Sequence, residues 1–262
     1  MTIKEFLKKY RLHLIKIASR ILKIFPDENT WHTNYVIRGK LLRIYSANWE
    51  EHSRWERLAK ETKEPETINW ISKFNPTGTF LDIGACIGNY SIFAASLFPK
   101  MVIFAIEPEP FNFSHLLKNV KANRMNIQCF CLGLASKSEI LLLEINQSLR
   151  GGGSGHQIKK FSNKNEVENL NFAIYTTSAD ELIFNKKIAV PNYIKIDVDG
   201  REKDIINGMV NLLKNKELNE ILIEINSKKD FDEISKILTF NKFKSIIKPK
   251  KVIGNYVFQR IN

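Results

Sequence analysis

A cysteine framework is missing from this sequence. Its three cysteines, Cys86, Cys129 and Cys131, form no C-x-x-C pair, which argues against a zinc site or a set of disulfides and fits a reduced intracellular setting. Cys129 and Cys131 stand two apart on an expected strand, so they are read as small apolar residues packing on one face. No uninterrupted apolar run reaches the ~20 residues that span a bilayer. The N-terminus has neither the apolar core nor the small-residue cleavage site of a secretory signal. The glycine loop "RGGGSGHQ" (150–157) is not followed by G-K-[ST], so it is no phosphate-binding P-loop. No cluster has metal-ligand spacing, and no metal is expected; Asp197, Asp199 and Glu224 are hard-oxygen donors whose spacing demands no cation. A repeat with a period of roughly 20–50 residues is also absent, which excludes solenoids and propellers.

What is present is a balanced globular body with two basic ends. Of a net charge of +12, residues 1–25 contribute +6 and residues 241–262 another +6, leaving the 215 residues between them neutral. In "MTIKEFLKKYRLHLIKIASRILKIF", Ile3, Phe6, Leu7, Tyr10, Leu14, Ile17, Ala18 and Ile21 recur at helical spacing, with Lys4, Lys8, Arg11 and Lys16 between them. Such a basic amphipathic helix packs on its own domain or a partner subunit, or lies on an anionic membrane surface.

From residue 75 onward, buried strands alternate with helices: "TFLDIG" (79–84), "MVIFAIE" (101–107), "NIQCFCLGLA" (126–135), "NYIKIDVDG" (192–200) and "NEILIEIN" (219–226). Helices are expected at 49–61, 65–74, 88–98, 111–123, 178–185, 201–215 and 231–240, and two terminal strands over 243–260. Apolar strands alternating with helices imply an α/β fold: a Rossmann-like, doubly wound, mostly parallel seven-stranded sheet with an antiparallel edge strand. The expected organisation is an N-terminal extension over 1–74, holding the basic helix, a small hairpin around Gly39 and further helices, and a domain over 75–262.

In a doubly wound sheet, ligands sit beyond the carboxyl ends of the strands. "FLDIGACIGNY" (80–90) ends the first strand at Asp82 and turns through Gly84 and Gly88. The dinucleotide pattern G-x-G-x-x-G fails, because Asp82 and Ile87 stand where glycines belong. An acid at that turn suits a cationic ligand better than a pyrophosphate. The second strand ends at Glu107, 25 residues after Asp82. A carboxylate there can grip both hydroxyls of a ribose. A ribose joined to a positively charged amino-acid part is S-adenosylmethionine.

"EPETINWI", "FLDIGACIGNYS", "AIEPEP", "TTSADEL", "YIKIDVDGRE" and "ILIEIN", in this order, resemble the FkbM-type methyltransferases over residues 65–226. The resemblance implies a class I fold and S-adenosylmethionine-dependent O-methyl transfer. It implies Asp82, Gly84 and Gly88, with Ala85 and Asn89 of the same turn, around the methionine part. Glu107 and Pro108 would lie at the ribose, and Leu134 and Ala135 at the adenine. Two positions depart from the family pattern: Cys86 where Asn is usual, and Asp199 where Glu is usual.

Methyl transfer to a hydroxyl needs alignment and a place for the proton, so a carboxylate of raised pKa is sought. Asp197, an acid at the end of a buried strand, is the candidate base; Lys195, on the same strand face, would orient it, and Glu224 is a second acid for the same cleft. Asp199 and Glu202 have capping-box spacing and are also candidates for acceptor contact, as is His156 in the glycine loop. The expected acceptor is a small molecule, sugar or glycolipid in a cytoplasmic setting, with peripheral contact at the inner membrane face through residues 1–25. An RNA or DNA methyltransferase is the alternative; it is disfavoured because the charge is terminal and no N/D-P-P-Y motif follows the fourth main strand. A non-catalytic binding module on the same fold is the other.

Overall fold

A computed structural model describes residues 32–46, 48–145, 157–160, 171–249 and 253–261. The basic segment 1–25 and His156, with nearly all of the glycine loop, lie outside the described residues. Residues Thr33–Asn262 form one compact unit.

The chain opens with a hairpin, β1 (His32–Ile37) and β2 (Lys40–Tyr45), turning at Arg38 and Gly39 with φ of 46° and 76°. Two positive φ values in a two-residue turn match the right-handed twist of the flanking strands. Helix α1 (Trp49–Ala59) starts where the Asn48 side chain accepts from Glu51 N, and α2 (Pro65–Ile71) carries proline at its first position. Then follow β3 (Thr79–Ile83), α3 (Asn89–Leu97), β4 (Val102–Ile106), α4 (Pro110–Ala122) and β5 (Ile127–Phe130). A second group holds β6 (Gly133–Leu134), β7 (Glu139–Glu144), β8 (Gln157–Lys160) and β9 (Asn171–Thr177). The rest comprises β10 (Tyr193–Ile196), α5 (Glu202–Asn207), β11 (Glu220–Ile225), α6 (Lys228–Phe240), β12 (Phe243–Ile247) and β13 (Gly254–Arg260).

The central sheet has seven strands in the order β12-β13-β11-β10-β3-β4-β5. Strand pairs from β11 to β5 are all parallel. The terminal hairpin makes the antiparallel edge expected: β13 pairs antiparallel with β11 and carries β12 outside it. All five residues of β3 are buried, as a strand covered on both faces requires.

The alternation of side chains sorts the sheet into two cores. Phe80, Ile103, Ala105, Tyr193 and Leu222 pack with the hairpin and α1 to α4. Leu81, Ile83, Phe104, Ile194, Ile196 and Ile223 pack with α5, α6 and residues 179–183. A one-residue slip would swap the two sets, so the register is firmly specified. Trp55, Ile68 and Trp70 share the first core with the sheet, and Trp70 Nε1 donates to Glu220 Oε2 at 2.7 Å. Packing therefore runs continuously across residues 74 and 75.

Three local expectations change. The third strand splits, with β5 in the central sheet and Gly133–Leu134 pairing with β9 in a second, four-stranded sheet ordered β6-β9-β7-β8. The split leaves Cys131 exposed beyond β5 while Cys129 packs on the core. Residues 181–185 form a single π-helical turn, with the Ser178 hydroxyl accepting from Glu181 N at 3.1 Å. The long helix expected over 201–215 stops at Asn207, followed by Gly208, where an added Cβ would meet the Ala135 carbonyl oxygen at 2.2 Å, and by a separate 3₁₀ turn at Leu212–Lys214. Among the described residues, no helix is long and apolar enough to cross a membrane.

Candidate functional site

From β3 the chain moves outward through β4 and β5, then returns to the other side of β3 as β10 and β11. The reversal point lies at the carboxyl ends of β3 and β10, where open α/β sheets hold ligands. A cleft of about 330 Å³ opens there, within the range of small-molecule sites. Gly84, Glu107, Pro108 and Leu134 line one part of it; Asp197, Asp199 and Glu224 line another; Arg54, Arg57 and Lys63 come from α1 and the loop behind it.

Glu107 organises the first part. Its Oε1 accepts from Glu109 N and its Oε2 from Cys86 N, both at 2.8 Å, so one carboxylate ties the turn after β3 to the end of β4. Burial pushes its carboxyl up to about 7, against the pull of those N–H groups. Glu109 is spent otherwise, capping α4 through Phe111 N and Asn112 N.

The two glycines of the turn have a different reason from the one expected. Gly84 has φ 80°, and an added Cβ would lie 1.9 Å from the Asp197 carbonyl oxygen. A Cβ on Gly88 (φ 92°) would meet Leu116 Cδ1 at 2.7 Å. Their missing side chains let strand ends and helices approach one another, and Gly84 also lines the cleft. Cys86 also holds a left-handed conformation, φ 52°, which asparagine tolerates better than cysteine. Cys86→Asn should therefore raise stability by roughly 1 kcal/mol or less, read as a higher urea midpoint at unchanged m-value.

Asp82 does not line the cleft. It is fully buried, accepts from Ser91 Oγ at 2.5 Å, and stands beside Lys195 as its register partner on the adjacent strand. Burial pushes its carboxyl up, with Lys195 and Ser91 pulling the other way. The expected contact with a ligand is thus replaced by a place in a buried charge network. Ala85 and Asn89 are likewise buried away from the cleft, and so is Ala135, whose N–H donates to Thr177 O at 2.9 Å. Pro108 and Leu134 do line it.

Lys195 is 1% exposed, with its Nζ 2.6 Å from Asp197 Oδ2 and 4.7 Å above the centre of the Tyr90 ring. Burial works against the ammonium, but Asp197, Glu64 and Asp82 outweigh it and keep it protonated. Continuing the β10–β11 register from Lys195↔Leu222 places Asp197 beside Glu224, and the two carboxyls share a hydrogen bond. The asymmetry of this pair runs opposite to the sequence expectation. Burial acts to raise the Asp197 carboxyl, yet Lys195, the Glu224 hydrogen bond and Lys63 hold it well below the usual range. Glu224 is the raised one, pushed up to about 8 by burial and by the Asp197 charge. The proton of the pair therefore sits on Glu224 at neutral pH.

Asp199 lines the cleft at φ 55°. Glu202 does not: its Oε1 reaches back to Gly200 N at 3.0 Å, which makes it a structural cap of α5. Four cleft cations, Arg54, Arg57, Lys63 and Arg201, were not anticipated. In "SRWERLAKETKE" Arg54, Arg57 and Lys63 alternate with acids and look like a solvated helix face; only their place in the cleft lining distinguishes them. Among the described residues, no group of three or more His, Cys, Asp or Glu is placed to hold a metal ion.

The family described as methyltransferase FkbM domain matches residues 82–246. Among curated proteins, the chain is 27% identical over 183 residues to hexuronic acid methyltransferase AglP of Haloferax volcanii, covering 70% of this chain and 66% of that one. It is 23% identical over 152 residues to methyltransferase 1 of Beauveria bassiana, covering 53% and 61%. The matched stretch thus spans just under two thirds of these relatives' lengths. Among solved structures, methyltransferase FkbM of Methylobacillus flagellatus superposes with a TM-score of 0.50 at 14% identity, covering 82% of this chain and 55% of that one. That likeness shows the fold. The family match begins at the end of β3, at Asp82, and takes in the strand ends that carry Glu107, Asp197 and Glu224; the chain belongs to the methyltransferase FkbM domain family.

Proposed function

We propose that this chain is an S-adenosylmethionine-dependent O-methyltransferase acting on a sugar hydroxyl. The observation that carries the reading is one cleft with Glu107 in one part and the Lys195–Asp197–Glu224 network in another. Each Glu107 oxygen accepts one backbone N–H, and a carboxylate oxygen has a second lone pair to offer. The Asn112 side chain also hydrogen-bonds this carboxylate; the acceptor capacity that remains fits a ribose hydroxyl, and the apolar Leu134 and Pro108 fit a flat base beside it. The sugar acceptor is supported by the similarity to the hexuronic acid methyltransferase of Haloferax volcanii.

When bound, S-adenosylmethionine supplies a methyl group on a positively charged sulfur. The walls of the cleft hold an acceptor oxygen in line with that carbon and keep water out. As the new C–O bond forms and the S–C bond breaks, the acceptor hydroxyl must lose its proton. Glu224 in its ionised form takes it, because a base titrating near the working pH is the most effective. Asp197, clamped by Lys195, orients Glu224 and raises its basicity.

Thermal unfolding with S-adenosylmethionine, its demethylated product and NAD tests the cofactor. A ligand at about 100 times its Kd adds roughly 2.7 kcal/mol; the first two should stabilise the protein and NAD should not. Glu107→Gln should weaken S-adenosylmethionine by roughly 10–100-fold, since it loses a charge-assisted acceptor. Cofactor affinity should also rise about tenfold from pH 6 to pH 8, the ratio of ionised fractions for a group titrating near 7. For the apoprotein the sign is opposite. The Glu107 carboxyl is raised from 4.5 to about 7 on folding, so the stability it contributes at low pH is lost as pH rises through that window. A flat affinity profile from pH 6 to pH 8 would remove Glu107 from the cofactor site.

A further inference from the structure

Four cations and six carboxyl groups line the cleft, and one of the cations stands apart from the rest. Lys63 is committed to Glu64 at 2.6 Å, and Lys195 to Asp197. Glu224 holds its proton at neutral pH. Arg201 is paired with Asp204 outside the cleft, and Arg54 with Glu50, which is 46% exposed. Arg57 is different. It lines the cleft, its Nε reaches only the Ser53 carbonyl at 3.4 Å, and it has no carboxylate partner among the described residues.

Arg54 and Arg57 are three residues apart on α1, which places them on one helix face. Trp55 and Leu58 of the same helix are fully buried and anchor α1. Arg54 has a second peculiarity: its Nε is buried without a hydrogen-bond partner, an arrangement that invites an acceptor. Its guanidinium senses Asp197 as well as Cys86, and Lys63 also acts on Asp197. Arg54 and Lys63 therefore lie toward the side of the cleft that holds Asp197, and Arg57 lines the same cleft.

Resting on the methyltransferase reading above, we propose that Arg57, with Arg54 beside it, is the specificity determinant for an anionic sugar acceptor. It grips a carboxylate or phosphate substituent a few ångströms from the hydroxyl being methylated. A guanidinium presents paired N–H donors that match such a group in a bidentate fork. Of the acids that line the cleft, Glu64 and Asp197 are each paired with a lysine, Glu224 shares a hydrogen bond with Asp197, and Glu107 and Glu109 accept backbone N–H groups.

The test is equilibrium binding to the full chain saturated with S-adenosylhomocysteine, using three probes: methyl glucuronide, glucose 6-phosphate and neutral methyl glucoside. The wild type should bind at least one anionic probe about tenfold or more tightly than the glucoside. Preference between the two anions identifies the substituent. Arg57→Ala, a change at an exposed position, should bring that anion to within about twofold of the neutral sugar and leave S-adenosylhomocysteine affinity unchanged. Arg57→Lys should restore only part of the preference, having charge without the fork. Equal binding of all three probes by the wild type, or binding of none, overturns the proposal. So does an Arg57→Ala loss that falls on S-adenosylhomocysteine, which would assign the arginine to the cofactor's own carboxylate. Failure of the wild type to bind S-adenosylhomocysteine in the first step is separate, since it sinks the methyltransferase reading itself.

Discussion

Glu224→Gln should lower kcat by roughly 10²–10⁴-fold, the usual contribution of a general base, while leaving the Kd of S-adenosylmethionine within about twofold of wild type. The residue holds its proton up to about pH 8 because it is half-buried and shares a hydrogen bond with a carboxylate that is already charged. The wild-type rate should accordingly climb as pH rises through about 8, where the pair gives up its proton and becomes able to accept the acceptor's. Glutamine keeps the shape and the hydrogen bond to Asp197 but cannot ionise, so the alkaline rise should vanish along with the rate. Asp197→Asn acts on the same limb from the other side: without the neighbouring charge, Glu224 ionises more easily and the rise should move to lower pH. Stability should move oppositely to activity. The Glu224 carboxyl is raised from 4.5 to about 8 on folding, so its favourable contribution is complete below 4.5 and is lost as pH climbs through about 8. The site is therefore least stable in the state that works, a trade common at catalytic centres. A Glu224→Gln enzyme that kept both its rate and its pH profile would leave the proton with another acceptor.

The parts of this arrangement that are local in sequence can be read without coordinates. Period-two spacing puts Lys195 and Asp197 on one face of a strand, and their 2.6 Å contact follows. Glu107 at a strand end, close to the turn that begins with Gly84, is similarly a matter of order along the chain. What needs the fold is everything set by strand neighbours. Lys195 pairs in register with Asp82 only because β10 returns beside β3, and a single sequence does not state strand order. Knowing that Asp82 faces a buried ammonium explains why it sits in the protein interior instead of at the ligand. The assignment of the base turned on the same point. Asp197 and Glu224 are both acids at the ends of buried strands, and only the position of Lys195 decides which is held charged and which keeps the proton. Arg54 and Arg57 were invisible for a further reason. Alternating charge on an amphipathic helix has the same pattern whether the polar face meets water or the rim of a cleft. The turn glycines were correctly marked as special, but the atoms that require them belong to Asp197 and Leu116, contacts made across the sheet and helix layer.

Lys195→Met should cost about 3–5 kcal/mol of stability, the range found when one member of a buried ion pair is removed. At this chain size that corresponds to a fall in Tm of roughly 6–20 °C. The methionine fills similar volume, so the cost is electrostatic rather than a cavity. Lys195 is the charge that Asp197, Glu64 and Asp82 have in common. Asp197 is 26% exposed and can recover some hydration from the cleft, but Asp82 is fully buried and has only Ser91 besides. Most of the penalty therefore falls on Asp82. The pH dependence separates this account from a packing defect. In the wild type Asp197 is held below its ordinary 3.8, so the stability it contributes is present above that value and lost as pH falls through its folded one. In the variant that contribution is gone, and Asp82 ionises in the folded state only at a cost. Wild type and variant should differ most near pH 7, and the gap should narrow as pH falls below the ordinary carboxylate range, where the contribution of Asp197 is progressively lost. Asp82→Asn introduced into Lys195→Met should recover a large part of the loss at pH 7, because it removes the charge left without a partner. A deficit below about 1 kcal/mol, or one equal at pH 7 and pH 3 and untouched by Asp82→Asn, would mean that the lysine is not what neutralises the acids beneath the cleft.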